Sequence, residues 1–364
     1  MGSRRRQYLH TSYEAEAGTV PSTPQTPLPF ELAKYTNRLS LNRLARFQGR
    51  LVVPCQSGNP SRMTHWKLTL AYDGTPYHGW QVQPGLPTVQ GTLSNAIYRA
   101  IGERVLPQGS GRTDAGVHAL GQVTSFALEA PIPPDRLQLA LNRCLPPSIR
   151  VLSVELVAPS FHARHSALRK TYEYRIFPLR SASISTDHSP HPLSGPTPDV
   201  ADRICPPILA PFVWPCPWPL SLDPLNRAAA AVIGTHDFTT FAASDPDLAA
   251  RPTNPTTPDL ASEAWDPEKA AVTRTPVRTI SHSQWQLQDG LFLYTVTGTG
   301  FLHHMVRNLV GTFVQCGAGR LAPDTIPQLL AARNRAISGP TAPPNGLFLV
   351  SVEYPQTESP DCHI

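Results

Sequence analysis

The sequence predicts an α+β fold built from two comparable halves, and three observations support that reading. Some segments alternate apolar and polar residues at strand period, while others repeat apolar residues at helical period. The two kinds follow one another along most of the chain. Two proline-rich stretches interrupt the series in its second half.

The 364 residues, 40% of them hydrophobic, suffice for one large domain or two ordinary ones. Forty-one prolines assign a good part of that length to connections. Residues 1–62 mix Arg, Ser, Thr and Pro without sustained periodicity, and disorder is expected there. Arg4, Arg5 and Arg6 suit an organellar transit peptide, but Glu14, Glu16 and Glu31 weaken that reading. Met63 stands directly before the first strand, which also allows the upstream residues to be an over-extended start.

From His65, the segment WKLTLAYDG alternates at strand period and ends in an Asp-Gly turn signal. A helix follows from Thr88, its N-cap, with Val89, Leu93, Ala96, Ile97 and Ala100 on one face and Gly102 just past its end. A second helix is expected at about 134–145, with strands at 122–128, 149–156 and 171–177. These complete a first half spanning 63–177. Twelve prolines between Pro178 and Pro224 exclude a helix and count against a regular sheet, so 178–224 reads as a linker or surface loop. The second half, 225–355, opens with a helix at 225–233 and carries another insert at about 244–272. A hairpin at 277–298 turns at Asp289-Gly290, followed by a long helix at 301–316, a short one at 324–335 and a strand at 347–354. Residues 356–364 form a tail.

A net charge of +5 suits a polyanionic partner without requiring one. The six cysteines show neither CxxC pairs nor Cys/His ligand spacing, so no zinc site or disulfide framework is indicated and a reducing compartment fits. No apolar stretch is long enough to span a bilayer, and a soluble, cytoplasmic protein is expected.

The segment GSGRTDAGVHALGQV at 109–123 packs glycines, Arg112, Asp114 and His118 into a tight loop between strands. In extended backbone Arg112 and Asp114 share one face, where the guanidinium would orient the carboxylate. On local chemistry alone, Asp114 reads at least as well as a residue that merely closes a turn. Tyr172 and Tyr174 share one face of a strand, where an aromatic is more often core than catalytic. The pair His303-His304 invites a metal reading, but on a helix the two point about a third of a turn apart. No carboxylate or Cys stands at i+3 or i+4, so no metal is expected, and contact with a polyanionic partner or helix packing is the role anticipated for both. His118 is expected to be structural.

GRTDAGVH resembles the signature of the tRNA pseudouridine synthase A (TruA) family. Further blocks match in order: AYDGTPYHGWQ, VQGTL, LNRCLPPSI, FHARHSALRKTYEY, HDFTTF, RTPVRTI, GFLHHMVRNLVGT and GLFLVSVEY. The likeness runs from about Lys67 to Tyr354, apart from the inserts. It implies a pseudouridine synthase fold, with a mainly antiparallel sheet split between two similar halves. It also implies isomerisation of uridine in the tRNA anticodon stem-loop by a homodimer, without cofactor. Asp114 would be the catalytic carboxylate, Arg112 would pair with it and help to displace the base, Arg307 would reach it from the other half, and Tyr172 would stack on the uracil. Arg164, Arg169, Lys170, Arg274, Arg278 and Arg320 are candidate phosphate contacts, each equally readable as a surface charge. A binding module without catalysis would have no need of Asp114, and a phosphate-binding hydrolase would need a GK[ST] ending that the glycine-rich loop lacks. His165 and Ala167 flank Ser166 where the family often places an aromatic before the serine.

Overall fold

In a computed structural model of the chain, residues 63–180, 203–243 and 275–355 are described. The expected N-terminal disorder, the 244–272 insert and the tail lie outside them.

Alternating burial along Thr64–Tyr72 makes β1, whose inward residues Trp66, Leu68 and Leu70 are buried. Helix α1 (Val89–Ile101) begins where the Thr88 side chain accepts from the Gly91 amide and ends on Gly102 in the left-handed region. Then come β2 (Gln108–Gly109), β3 (His118–Leu128), α2 (Pro134–Cys144), β4 (Ile149–Leu156) and β5 (Arg169–Pro178). The second half adds β6 (Trp214–Cys216), α3 (Leu222–Ala230), β7 (Gly234–Asp237), β8 (Val277–Gln288) and β9 (Leu291–Gly298). Helices α4 (Met305–Gly317) and α5 (Ile326–Ala332) precede β10 (Leu347–Glu353). Asp289 and Gly290 both have positive φ, as a two-residue hairpin turn requires.

The strands form one ten-stranded sheet in the order β4-β1-β3-β10-β5-β9-β8-β7, with β2 on β3 and β6 on β5. Pairing is antiparallel except for β10 with β3 and β6 with β5. The mainly antiparallel α+β architecture is therefore present. Two details differ from the sequence reading. Part of the proline-rich stretch joins the sheet, because β6 pairs Trp214, Pro215 and Cys216 with Ile176, Phe177 and Pro178. A strand this short tolerates proline, since few of its amides are needed for pairing. The halves also interleave: β10, from the end of the second, fills the place between β3 and β5 of the first.

One continuous core runs beneath the sheet, from Leu93, Ile97, Leu137 and Leu141 under the first half to Leu309, Phe313, Leu225 and Ala228 under the second. Among the described residues no helix is long and apolar enough to cross a membrane. The four described cysteines, Cys144, Cys205, Cys216 and Cys316, are free thiols.

Candidate active site

Residues 110–117 connect β2 to β3, and the backbone of this loop is pinned on several sides. The Ser110 amide donates to the Val123 carbonyl at 2.7 Å, and the Gln122 side-chain amide donates to the Gly111 carbonyl at 3.0 Å. From the turn after β1, the Trp80 amide donates to the Thr113 carbonyl at 3.0 Å. Gly79 makes this approach possible: its φ is +85°, and a Cβ there would lie 2.7 Å from the Thr113 oxygen. Tyr72 and Thr113 share a buried 2.8 Å hydrogen bond, and burial pushes the Tyr72 phenol up to about 12. A loop so fixed holds its side chains in set directions.

His118 closes the loop as a structural residue. Its Nδ1 accepts from the Gly74 amide at 3.0 Å, so the ring proton sits on Nε2, 3.1 Å from the Pro211 carbonyl. The ring stacks on Phe348 of β10 at 4.7 Å, and burial lowers its pKa despite Asp73 nearby.

Asp114 points from this loop toward the N-terminal end of α4. Arg307 Nη1 donates to Asp114 Oδ2 at 2.9 Å, joining side chains from opposite halves of the chain. The guanidinium is itself held, because Nε donates to the Ala342 carbonyl at 2.8 Å and the Ala342 amide donates to the Arg307 carbonyl at 3.1 Å. Arg335 fixes the segment before Ala342, donating to Ser338 Oγ, Gly339 O, Asn308 Oδ1 and Thr341 Oγ1. Gly311 lets that segment press on α4, since a Cβ there would fall 1.7 Å from the Pro340 oxygen.

His303 and His304 correct the sequence reading. Neither lies within the helix, which begins at Met305, and His304 caps it in the left-handed region with φ of 58°. Their rings lie 3.9 Å apart and both turn to Asp114, with Nε2 of His304 at 3.3 Å and of His303 at 3.7 Å. The carboxylate missing at i+3 or i+4 thus arrives from the loop of the other half. Burial holds the His304 imidazole below the usual histidine range, against the pull of Asp114. Asp114, His303 and His304 do present ligand atoms within 4.8 Å of one another. A dication there would face the Arg307 guanidinium already in contact with the same carboxylate, so the donor set fits a hydrogen-bonded anion better than a metal.

Tyr172 lies on β5 opposite Val296 of β9 and Leu349 of β10, its ring edge-on to Phe301 at 5.0 Å. Burial, with Tyr72 and Asp114 close enough to add to it, pushes its phenol far up, so the hydroxyl stays protonated. Tyr174, two residues on, donates to the Pro343 carbonyl at 2.7 Å inside the core. Arg112 is exposed on the Asp114 loop. Of the candidate phosphate contacts, Arg169 pairs with Glu353 at 3.6 Å, Arg320 lies over the Trp218 ring, and Arg274 is outside the described residues. Sequence reasoning missed Tyr72, Arg335 and the contact of both histidines with Asp114. The first stands in a block already singled out, AYDGTPYHGWQ, while nothing local marks the others.

A carboxylate paired with an arginine and flanked by two imidazoles, with a buried tyrosine within its field, makes one polar cluster where the two halves of the chain meet. Residues 69–166 and 261–355 match the family model described as tRNA pseudouridine synthase. The chain is 42% identical over 293 residues to a tRNA pseudouridine synthase A of Solibacter usitatus (strain Ellin6076), covering 80% of this chain and 100% of the relative. It is 42% identical over 294 residues to one of Moorella thermoacetica, covering 79% and 98%. It is 40% identical over 293 residues to one of Rhodopseudomonas palustris (strain BisB5), covering 80% and 100%. The chain is thus a pseudouridine synthase, an isomerase. It belongs to the tRNA pseudouridine synthase A family.

Proposed function

We propose that this protein isomerises uridine to pseudouridine in the anticodon stem-loop of tRNA, with Asp114 as the catalytic carboxylate. The observation that carries the reading is the 2.9 Å pair between Asp114 and Arg307, made across the two halves beside Tyr172. The reaction breaks the bond from ribose to N1, turns the uracil and rejoins it through C5. Its atoms balance without an outside reagent. Asp114 acts either as nucleophile at C1′ or as base toward the C2′ proton, and both routes begin from the ion-paired carboxylate. Uridine deuterated at C2′ separates them, because only the second gives a primary isotope effect.

Tyr172 presents a ring face for stacking on the extruded uracil. Its phenol is held protonated while Asp114 is charged, so it starts as a donor. When bonding to the sugar neutralises Asp114, the phenol gives up its own proton to solvent more readily, and the phenolate so formed takes the C5 hydrogen as a proton. Arg112, exposed two residues before Asp114, reaches into the RNA and helps to displace the target base from its stack, which costs a few kcal/mol. The family resemblance supports a homodimer, tested by light scattering. The free cysteines support a reducing, cytoplasmic setting.

The deciding experiment incubates the protein with tRNA tritiated at uridine C5. Wild type is expected to release the label and Asp114→Ala to release none. Wild-type protein that releases no tritium would end the enzymatic reading, and equal release by both would remove Asp114 from the mechanism.

A further inference from the structure

Near the catalytic loop, side chains from three segments bring positive charge to one corner of the sheet. Lys170 stands two residues before Tyr172 on the same face of β5. Its ammonium donates to the Ser110 carbonyl at 2.5 Å, four residues before Asp114 in the loop. Arg278 lies at the start of β8, and the register of Lys170 and Ile280 with the same residue, Gly298, brings the two strands' ends together. Arg164, exposed in the segment before β5, is the third. The charges that bear on Lys170 are cationic: burial, together with Arg164 and Arg278, brings its pKa down to about 8. Arg278 is lowered likewise by burial and by Arg164. Among the described residues, neither Lys170 nor Arg278 forms an ion pair with a carboxylate.

Like charges gathered at the rim of a site raise the energy of the free protein and lower it again when an anion arrives. Gly111 keeps the approach to the lysine open, since a Cβ there would stand 3.0 Å from the Lys170 ammonium. Without that atom another chain has room to come against the cation. Two residues along a strand span roughly 7 Å. The Cα atoms of Lys170 and Tyr172 are therefore about that far apart, comparable to the reach from a base to its own backbone.

We propose that Arg164, Lys170 and Arg278 form a phosphodiester subsite, which takes the backbone phosphate beside the nucleotide whose base lies on Tyr172. The inference rests on the reading of this protein as an enzyme acting on RNA. Through Ser110, the same lysine ties the bound phosphate to the loop that carries Asp114, so filling the subsite steadies the catalytic carboxylate.

The test uses the full chain and a substrate stem-loop in which single phosphates around the target uridine are replaced, one at a time, by neutral methylphosphonates. Affinity is measured over a salt series for wild type, Arg164→Gln, Arg278→Gln and Lys170→Met, with circular dichroism as the folding control. One replacement is expected to lower the wild-type salt slope by about 1. The same replacement should cost the Arg164→Gln and Arg278→Gln proteins little further affinity, since the contact it removes is already weakened. If every methylphosphonate position costs these variants as much as wild type, the proposal is overturned. It also fails if Lys170→Met lowers turnover with an unchanged salt slope, which marks the lysine as a loop brace alone. Inorganic phosphate that competes at matched ionic strength, with no methylphosphonate position coupled to the corner, would mark an anion site unrelated to RNA and also overturn it. Release of tritium from uridine C5 by wild type is read separately, so failure of the enzymatic reading is distinguishable from failure of the subsite.

Discussion

Tyr172 and Tyr174 stand two residues apart on one face of β5, and both are buried, yet they belong to different regions of the molecule. Around Tyr174 the neighbours are Trp214, Phe313 by way of Tyr294, and the Pro343 carbonyl that accepts the hydrogen bond from its hydroxyl. Around Tyr172 they are Phe301 and the field of Asp114 and Tyr72, with Lys170 next along the same face. The strand thus passes from site to core within one pleat repeat. The distinction lies in what the other elements bring to each position, and substitutions can separate the two environments.

The largest effect is expected from Asp114→Ala, at the site end. Turnover should fall on the order of 10⁴-fold or more, with tRNA affinity largely kept, because phosphate contacts elsewhere supply most of it. Single-turnover tritium release beside filter binding checks both halves of that statement, and loss of binding in step with turnover would contradict it. Arg335→Ala removes the ties that hold the 338–342 segment against Arg307. It should lower kcat by about 10²-fold through misplacement, with a smaller change in KM. Arg335→Lys should restore little, since one ammonium cannot reproduce the fork.

Tyr172→Phe and Tyr174→Phe sharpen the contrast directly. The first should reduce kcat by about 10²-fold without moving the melting temperature. The second should leave kcat per folded molecule unchanged and lower stability by about 1 kcal/mol, as the Pro343 carbonyl loses its donor. Reversed outcomes would exchange the two roles. The smallest effect concerns His118, whose pKa burial lowers in the folded protein. Its neutral form is favoured on folding, so this contribution to stability is complete above the unfolded value of about 6.5 and declines as pH falls toward the folded one. Urea midpoints between pH 7.5 and 5.5 should therefore drop more steeply for wild type than for His118→Gln.

Much of this arrangement was legible in the sequence. Caps and apolar periodicity located α1, alternation located β1, and Asp289-Gly290 located the turn of the β8–β9 hairpin. The Asp114 loop stood out as glycines, an arginine and an acid crowded between strands, but local chemistry left Asp114 as readable as a turn-closing residue, and only the family resemblance made it the catalytic candidate. Its pairing with Arg307 came only through family resemblance, since the two side chains lie in different halves and no local pattern links them. The position of β10 was hidden for a related reason: a strand's alternation shows which face is buried but says nothing about its neighbours. His303 and His304 were misplaced because apolar periodicity runs back through Phe301 and Leu302, while the backbone at His304 takes a left-handed turn that breaks the helix there.

The location of β10 has a consequence for how the enzyme comes into being on the ribosome. Until Leu347–Glu353 has emerged, β3 and β5 have no partner between them and expose facing rows of unpaired amides and carbonyls. The loop bearing Asp114, synthesised long before, lacks both the Phe348 ring that stacks on His118 and the Ala342 tether of Arg307. A nascent chain is therefore an incomplete catalyst whose open seam invites mispairing, and the sheet closes only once Leu347–Glu353 has been made.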